Sequence, residues 1–338
     1  MMSPHSAAPG PVPLFDRSTR LRMQFTGAKA AESLTGLVTN DVLALRGGDG
    51  LYACALTAKG RIIADVRILA IAGADGAGVG SYLVDANAAA GSGFAAMIRK
   101  YVNPRLATYT DVSSETRCLT LAGDRALALL RQVAGDASSL DALEAGAAFT
   151  HVRATVGDAD VRVVRAPDLG PRSTVDLIGD AAAVDAAGAA LRAAGAVDGG
   201  EIEWHRLRVM AARPEWGVDM DENTLAQEAN MDALQAISYR KGCYTGQETV
   251  ARVHFRGHVN RTLRRVAYPG ALPAHGTELR DADGAAVGVS RSVALDDGGT
   301  GIGIAMLRRE VQRDARLAWS DAAGATHAAR VTDDAAAD

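Results

Sequence analysis

From residue 21 the chain alternates apolar and polar positions (Leu21, Arg22, Met23, Gln24, Phe25), the period of a strand with one buried face. Thr26 and Gly27 close it. Ala31, Leu34, Leu37 and Val38 then recur at helical spacing and predict a helix over 28–37, leading to Thr39, Asn40 and Asp41. Apolar runs at 51–56 and 62–69 flank Thr57, Ala58, Lys59, Gly60 and Arg61, so a hairpin with a five-residue turn is expected. A strand at 82–84, a helix over 88–101 and a strand at 106–109 follow. Beyond Arg117 come a strand at 118–121, a helix at 124–133 and an alanine-rich loop. Two strands at 151–154 and 160–166 follow, then a strand at 174–178 and helices at 181–194 and 202–212. After Asn260 short apolar runs are cut by Asp283-Gly284, Asp297-Gly298-Gly299 and Ala323-Gly324, hairpin signals that predict a small β-barrel.

Strands and helices mix here without a regular strand-helix-strand alternation, which predicts α+β layers with antiparallel sheets. The glycine clusters Gly76, Gly78, Gly80 and Gly299, Gly301, Gly303 do not fit G-x-G-x-x-G. A dinucleotide fold is therefore rejected, and both clusters read as surface turns.

Composition narrows the class. A chain of 338 residues is long enough for two or three domains, and 48% hydrophobic with 22% charged residues suits a soluble globular protein. Aromatic residues are only 4%, so the cores must be built from Ala, Val, Leu and Ile. The net charge of -4 and the lack of a dense basic tract give no reason to expect nucleic acid as a partner. Cys54, Cys118 and Cys243 are far apart and odd in number, which argues for a reducing compartment and against a disulfide framework. C-x-x-C spacing is absent and His254 and His258 have no third ligand beside them, so no metal site is expected. Residues 1–13 are rich in Pro, Ala and Gly without the run of a signal peptide and read as a disordered tail; 333–338 read as a frayed acidic tail. No stretch holds eighteen continuous apolar residues, so no membrane span is expected and the protein should be cytoplasmic.

The densest chemistry lies in Tyr239, Arg240, Lys241, Gly242, Cys243, Tyr244, Thr245, Gly246, Gln247 and Glu248. Gly242 and Gly246 permit sharp turns on both sides of the cysteine. Residues 247–253 can begin a helix with Glu248 in its first turn. Neighbouring cations and a helix N-terminus both favour thiolate over thiol, which makes Cys243 a candidate nucleophile or metal ligand with Lys241 and Arg240 lowering its pKa. The plain alternative is a small half-apolar side chain filling a tight turn.

Lys-Gly-Cys-Tyr-Thr-Gly-Gln-Glu at 241–248 resembles the signature of the YgfZ-type folate-binding proteins, relatives of the T protein (aminomethyltransferase) of the glycine cleavage system. Phe15-Asp16-Arg17-Ser18 with Phe25-Thr26-Gly27, Leu37-Val38-Thr39-Asn40-Asp41-Val42, Lys59-Gly60-Arg61-Ile62 through Asp65, Trp216-Gly217-Val218-Asp219 and Arg256-Gly257 resemble further landmarks of that superfamily. The resemblance implies an α+β cloverleaf of the T-protein type, with two ferredoxin-like α+β domains and a C-terminal antiparallel β-barrel. The expected boundaries are 14–48 with 111–260 for a discontinuous folate-binding domain, 49–110 for the second and 261–332 for the barrel.

It also implies a bound tetrahydrofolate or one-carbon derivative, and a monomer that supports assembly or repair of iron-sulfur clusters in client proteins. Cys243 would act as nucleophile, transient iron ligand or redox thiol. The signature residues Tyr244, Gln247 and Glu248 become cofactor-binding candidates. Trp204 lies near a tryptophan associated with folate in the family, or in a core. Arg206 and Arg208 would serve folate's glutamate tail or form a solvated helix face. Asn40, Asp41 and Lys59 match landmarks, although such pairs are also ordinary turn formers, and Tyr101 either stacks on the pterin or packs in a core. Two departures bear on mechanism. Ser92 stands where the aminomethyltransferases carry a catalytic aspartate, and serine has no comparable charge at neutral pH. Met210-Ala211-Ala212 replaces Glu-Ala-Gly, so a carboxylate expected on the pterin is missing. The rivals are a folate-dependent aminomethyltransferase and a folate-binding scaffold without chemistry.

Overall fold

A computed structural model describes residues 10–74, 76, 78–169 and 174–334. In chain order the first half holds β1 (Val12–Asp16), β2 (Leu21–Thr26), α1 (Ala30–Leu37), β3 (Gly50–Leu56), β4 (Ile62–Ala72), β5 (Val79–Ala86), α2 (Gly91–Tyr101) and β6 (Thr108–Asp111). There follow β7 (Thr116–Ala122), α3 (Ala126–Val133), α4 (Asp141–Ala145), β8 (His151–Val156), β9 (Ala159–Arg165), β10 (Thr174–Asp180), α5 (Ala181–Ala193), β11 (Ala196–Gly199) and α6 (Glu201–Met210). After a long irregular stretch come α7 (Gln247–Arg256) and six strands: β12 (Arg261–Tyr268), β13 (Glu278–Arg280), β14 (Ala286–Leu295), β15 (Gly301–Arg308), β16 (Arg316–Ser320) and β17 (Thr326–Asp334).

Two compact units result. The smaller comprises residues up to Ser18, Ser114–Pro167 and 171–201, and the larger Thr19–Ser113, 168–170 and everything from Ile202. The smaller unit holds a six-stranded sheet in the order β11-β1-β7-β10-β9-β8. Its core face, with Leu119, Leu121, Val161, Val163, Val175 and Leu177, is covered by Leu129, Leu130, Val184 and Leu191. The alanine-rich helix α5 lies close because its buried positions include Ala187 and Gly188. The larger unit holds a five-stranded sheet ordered β3-β4-β5-β2-β6, and the last six strands close into a barrel, β12-β15-β14-β13-β16-β17. Leu34 and Leu37 of α1 and Phe94 and Ile98 of α2 pack on Ala53, Ala55, Ala64, Val66 and Ile68.

Several expectations move. The boundaries at residues 48 and 110 do not follow the sheets: β2 pairs with β5 and β6, and α1 packs on the same sheet, so residues 19–113 hold together. Pairing partners far apart in sequence leave no trace in local periodicity. Val12 and Pro13, read as tail, begin β1, which pairs with β11 in parallel and β7 antiparallel; residues 1–9 lie outside the described part. Asp333 and Asp334 end β17 opposite Arg265 and Arg264, while 335–338 lie outside it. Gly301 and Gly303 are in strand β15 rather than a turn. A Cβ at Gly301 would come 2.5 Å from the Tyr268 carbonyl oxygen, and at Gly303 2.8 Å from the buried Tyr268 ring, so close approach selects glycine there.

Candidate functional site

The five-stranded sheet has two unlike faces. Ala53, Ala55, Val66 and Val84 point into its core, so the alternation along each strand puts Tyr52, Cys54, Asp65, Arg67, Asp85 and Arg22 on the other face. Register aligns Tyr52 with Arg67, Arg67 with Asp85, and Asp85 with Arg22, a row of polar groups across four strands. Every one of them is buried. Asp85 takes Arg20 at 2.6 Å and Arg67 at 2.8 Å, and Arg67 also reaches Asp168 at 3.0 Å. Burial works against the charge of Asp85, but Arg20 and Arg67 outweigh it and hold the carboxyl below the usual carboxylate range.

Asp65 is the other case. Tyr52 Oη donates to Asp65 Oδ2 at 2.7 Å, while Asp65 Oδ1 is buried with no hydrogen-bond partner among the described residues. Burial pushes this carboxyl up, against the pull of Arg20, the Tyr52 hydroxyl and Arg213. The Arg213 guanidinium lies 4.9 Å from the Tyr52 ring centroid, three residues beyond Met210. Cys54 is paired with Asp65 across the strands and is fully buried; desolvation, then Asp65 and Asp232, push its thiol well up.

The 239–248 loop is clamped at both ends and open in the middle. Lys241 is buried, and its ammonium donates to the carbonyl oxygens of Thr35 and, at 2.6 Å, Val38. These lie at the end of α1, where carbonyls lack helical partners and favour a cation. Lys241 Nζ also sits 4.6 Å from the Tyr244 ring centroid. Burial lowers its pKa to about 8, opposed by Asp41. Thr245 N donates to the Gly36 oxygen at 3.2 Å, and Tyr244 N to Gln247 Oε1 at 3.4 Å. Gly246 has φ +86°, and a Cβ there would lie 2.6 Å from the Thr57 carbonyl oxygen; a Cβ at Gly60 would lie 2.9 Å from Thr249. The hairpin turn and the start of α7 therefore touch backbone to backbone. Between the clamps Gly242 and Cys243 are exposed.

Lys241, expected beside the thiol, is thus spent on helix α1 and the Tyr244 ring; neighbours in sequence at a turn point opposite ways. Asn40 and Asp41 serve the same scaffold: Asn40 Nδ2 donates to the Tyr52 and Gln235 carbonyls at 2.9 Å each, and the Asp41 carboxylate accepts from Leu43 N at 3.2 Å. Lys59 is exposed on the hairpin turn and Glu248 in the first turn of α7. Arg208 is not a solvated cation. It is buried, 2.7 Å from Asp219 and 2.8 Å from Glu215, and donates to Ser292 Oγ at 2.7 Å. Asp219 of the Trp216–Asp219 landmark also accepts from Ser292 N at 3.1 Å, so the pair fastens α6 to barrel strand β14. Arg206 pairs with Asp297, and Trp204 is half-buried on α6. Tyr101 ends α2 about half exposed, with Lys100 4.9 Å from its ring, so it is not a core aromatic. Ser92 is exposed in the first turn of α2. Sequence reading passed over Asp65 and Tyr52 as site residues, though a carboxylate and a phenol on the polar positions of an otherwise apolar hairpin were a legible signal.

Among the described residues no cluster of His, Cys, Asp and Glu is arranged for a metal ion, and no helix is long and apolar enough to cross a membrane. A family profile described as the GCVT N-terminal domain matches residues 3–238. An iron-sulfur cluster assembly factor, the mitochondrial IBA57 homolog of Mycosarcoma maydis, is 27% identical over 90% of this chain and 74% of its own length. The tRNA-modifying protein YgfZ of Escherichia coli is 28% identical over 75% of this chain and 72% of its own. Among solved structures, the glycine cleavage system aminomethyltransferase T of Bartonella henselae superposes with a TM-score of 0.78 over 96% of this chain and 85% of its own, at 17% identity. That likeness establishes the T-protein fold.

Proposed function

Because this chain belongs to the GCVT N-terminal domain family, we propose that it is a tetrahydrofolate-binding protein that supports assembly or repair of iron-sulfur clusters in client proteins, with Cys243 as its working thiol. The observation that carries this reading is the loop itself. Its flanks are buried and fixed by Lys241 and Gly246, yet they hold a single thiol out to solvent. A structural cysteine needs no such presentation; Cys54 and Cys118 are buried. Relatives named for iron-sulfur cluster assembly and for tRNA modification support the same reading.

The residues present fit a folate. A reduced pterin offers an amide N–H beside an amino group, two donors that suit a carboxylate. Met210 cannot supply one, but Asp65 Oδ1 is a buried acceptor with no partner among the described residues, and an unsatisfied buried polar atom calls for an explanation; Asp85 Oδ2 is also without one, but its carboxyl is already held by Arg20 and Arg67. We assign pterin recognition to Asp65, with Tyr52 orienting the carboxyl and Arg213 beside it. When bound, the folate would supply one-carbon chemistry. Lys241 is a positioning residue: it fixes the loop against α1 so that Cys243 stays outside. The cluster or its iron is cargo, and Cys243 thiolate would hold it transiently or attack as a nucleophile. Ser92 leaves the aminomethyltransferase reading without its carboxylate. The three free thiols suit a reducing compartment, and the cytoplasm is the simplest.

Titrating the protein with tetrahydrofolate by tryptophan fluorescence tests the cofactor. We expect saturable binding, weakened about tenfold or more in Asp65→Ala, as when a charged hydrogen bond is lost. No binding by the unaltered protein removes folate; equal binding by the variant removes Asp65. Activity of a cluster-dependent enzyme in cells lacking the protein tests the thiol. Full restoration by Cys243→Ala would leave a folate-binding scaffold.

A further inference from the structure

Helix α7 presents a stripe of exposed side chains to solvent. Glu248, Arg252, Phe255 and Arg256 stand at i, i+4, i+7 and i+8, on one face of the helix, and all four are exposed. Four of the five phenylalanines of the chain are at most 3% exposed; Phe255 is 67% exposed. One exposed apolar side chain is ordinary by itself; Phe255 draws notice because its ring is held in place and arginines surround it.

The surroundings hold this phenyl in place. His254 stacks on Tyr239 with ring centroids 3.6 Å apart and planes 16° apart, and Phe255 meets the His254 ring edge-on at 4.7 Å. Tyr239 is anchored in turn by its hydroxyl on Asp232. The helix is braced from beneath, where Gln227 Nε2 donates to the Val250 carbonyl at 2.9 Å. A preorganised aromatic loses little entropy when a partner covers it.

The charge around it is mainly positive, with Glu248 and Asp232 as its carboxylates. Arg240, Arg252 and Arg256 are exposed and make no ion pair among the described residues, and Lys59 lies on the turn against which Thr249 packs. Some exposed arginines elsewhere are answered by carboxylates, as Arg153 is by Asp160 and Arg192 by Asp198, and others, such as Arg99 and Arg313, are not among the described residues; what distinguishes this face is that its arginines flank an exposed aromatic ring. The chain as a whole carries -4, so a cluster of cations here is a local positive patch. Arginine and aromatic residues together are the composition of interface hot spots.

We infer that the outer face of α7, the helix that follows the Cys243 loop in the chain, docks an acidic protein partner, whose apolar recess takes Phe255 and whose carboxylates meet Arg240, Arg252 and Arg256. Charge complementarity selects this occupant. A nucleic acid backbone would meet the Glu248 and Asp232 carboxylates at the edges of the face, whereas a protein can answer them with cations of its own. The inference stands on the surface alone and does not require Cys243 to react.

The test places the photo-crosslinking residue p-benzoylphenylalanine at position 255 of the full chain in its native cells, with position 202, another exposed apolar site, as control. The expected adduct is a protein whose cross-linked peptide, identified by mass spectrometry, is rich in Asp and Glu. Its yield should fall about tenfold when R252E and R256E are added, with an unchanged melting curve confirming the fold. An R252A/R256A pair, a milder change, should give an intermediate loss. Four results would overturn the inference: a nucleic acid adduct, a second copy of this chain, a yield no greater than at 202, or a yield indifferent to the charge reversal.

Discussion

The five-stranded sheet of the larger unit and the six-stranded sheet of the smaller one each bury an apolar face under helices, but their opposite faces differ. In the smaller unit that face is largely Phe15, Cys118, Ile178 and Val164, with Thr120 donating to Asp176 at 2.6 Å and Arg162 meeting His151 Nδ1 at 2.8 Å. In the larger unit it carries Tyr52, Asp65, Arg67, Asp85 and Arg22, knit together by Arg20 and Asp168. Buried charge is costly unless paired, and hydrophobic packing alone would have served both sheets. The sheet that accepts the cost leaves two carboxylate oxygens, Asp65 Oδ1 and Asp85 Oδ2, without a partner among the described residues and lies in the same unit as the exposed thiol.

The contrast can be broken most directly at the ion pairs. Asp85→Ala strands Arg20 and Arg67 without their carboxylate and should cost about 3–5 kcal/mol in denaturant unfolding. Thr120→Val in the smaller unit should cost only about 1–3 kcal/mol, the loss of one hydrogen bond to a buried acceptor. Equal losses would mean the two faces are energetically alike. Next in size, Gly246→Ala combines a left-handed backbone with a contact on the Thr57 oxygen and should cost about 1–3 kcal/mol.

Titration sharpens the comparison further. Asp65 has a raised pKa in the folded protein, so the native state binds its proton longer and stability falls as pH rises from the ordinary carboxylate value through the raised one. Asp65→Asn should remove that fall. Lys241 is lowered from 10.5 to about 8. The unfolded chain then holds the proton longer, so stability should rise between about pH 8 and pH 10.5, and Lys241→Met should flatten that rise. Slopes unchanged in both variants would show that these groups do not feel their burial. The smallest effect belongs to the loop tip. Cys243→Ala should shift stability by no more than about 0.5 kcal/mol, while in the unaltered protein Cys243 reacts with iodoacetamide first and Cys54 and Cys118 only on unfolding.

Most elements were legible from periodicity. The hairpin around Lys59 and Gly60, helices α1 to α3, α5 and α6, and the strand-rich end of the chain all lie within a few residues of where the pattern put them. The motif at 241–248 also stood out, since few packing arguments ask for a thiol, two cations and two glycines in ten residues. Its inner workings did not. Lys241 was expected to serve Cys243 and instead caps α1, because which way a side chain leaves a turn depends on the φ of its neighbours and on carbonyls two hundred residues earlier. Arg208 was expected on folate's glutamate tail or on a solvated helix face and is buried, held by Asp219, Glu215 and Ser292.

By itself, then, the sequence determined what is local: helical and strand periods, the turns at Gly60 and Gly246, a barrel-forming tail end and the one chemically dense loop. Only the tertiary structure decided which strands pair, and so which residues share a face. Sheet partners such as β2 and β5 lie some sixty residues apart. The row from Tyr52 to Arg22 and the orphaned oxygen of Asp65 exist only once that register is set, because alternation fixes which side a residue faces but not what it meets there.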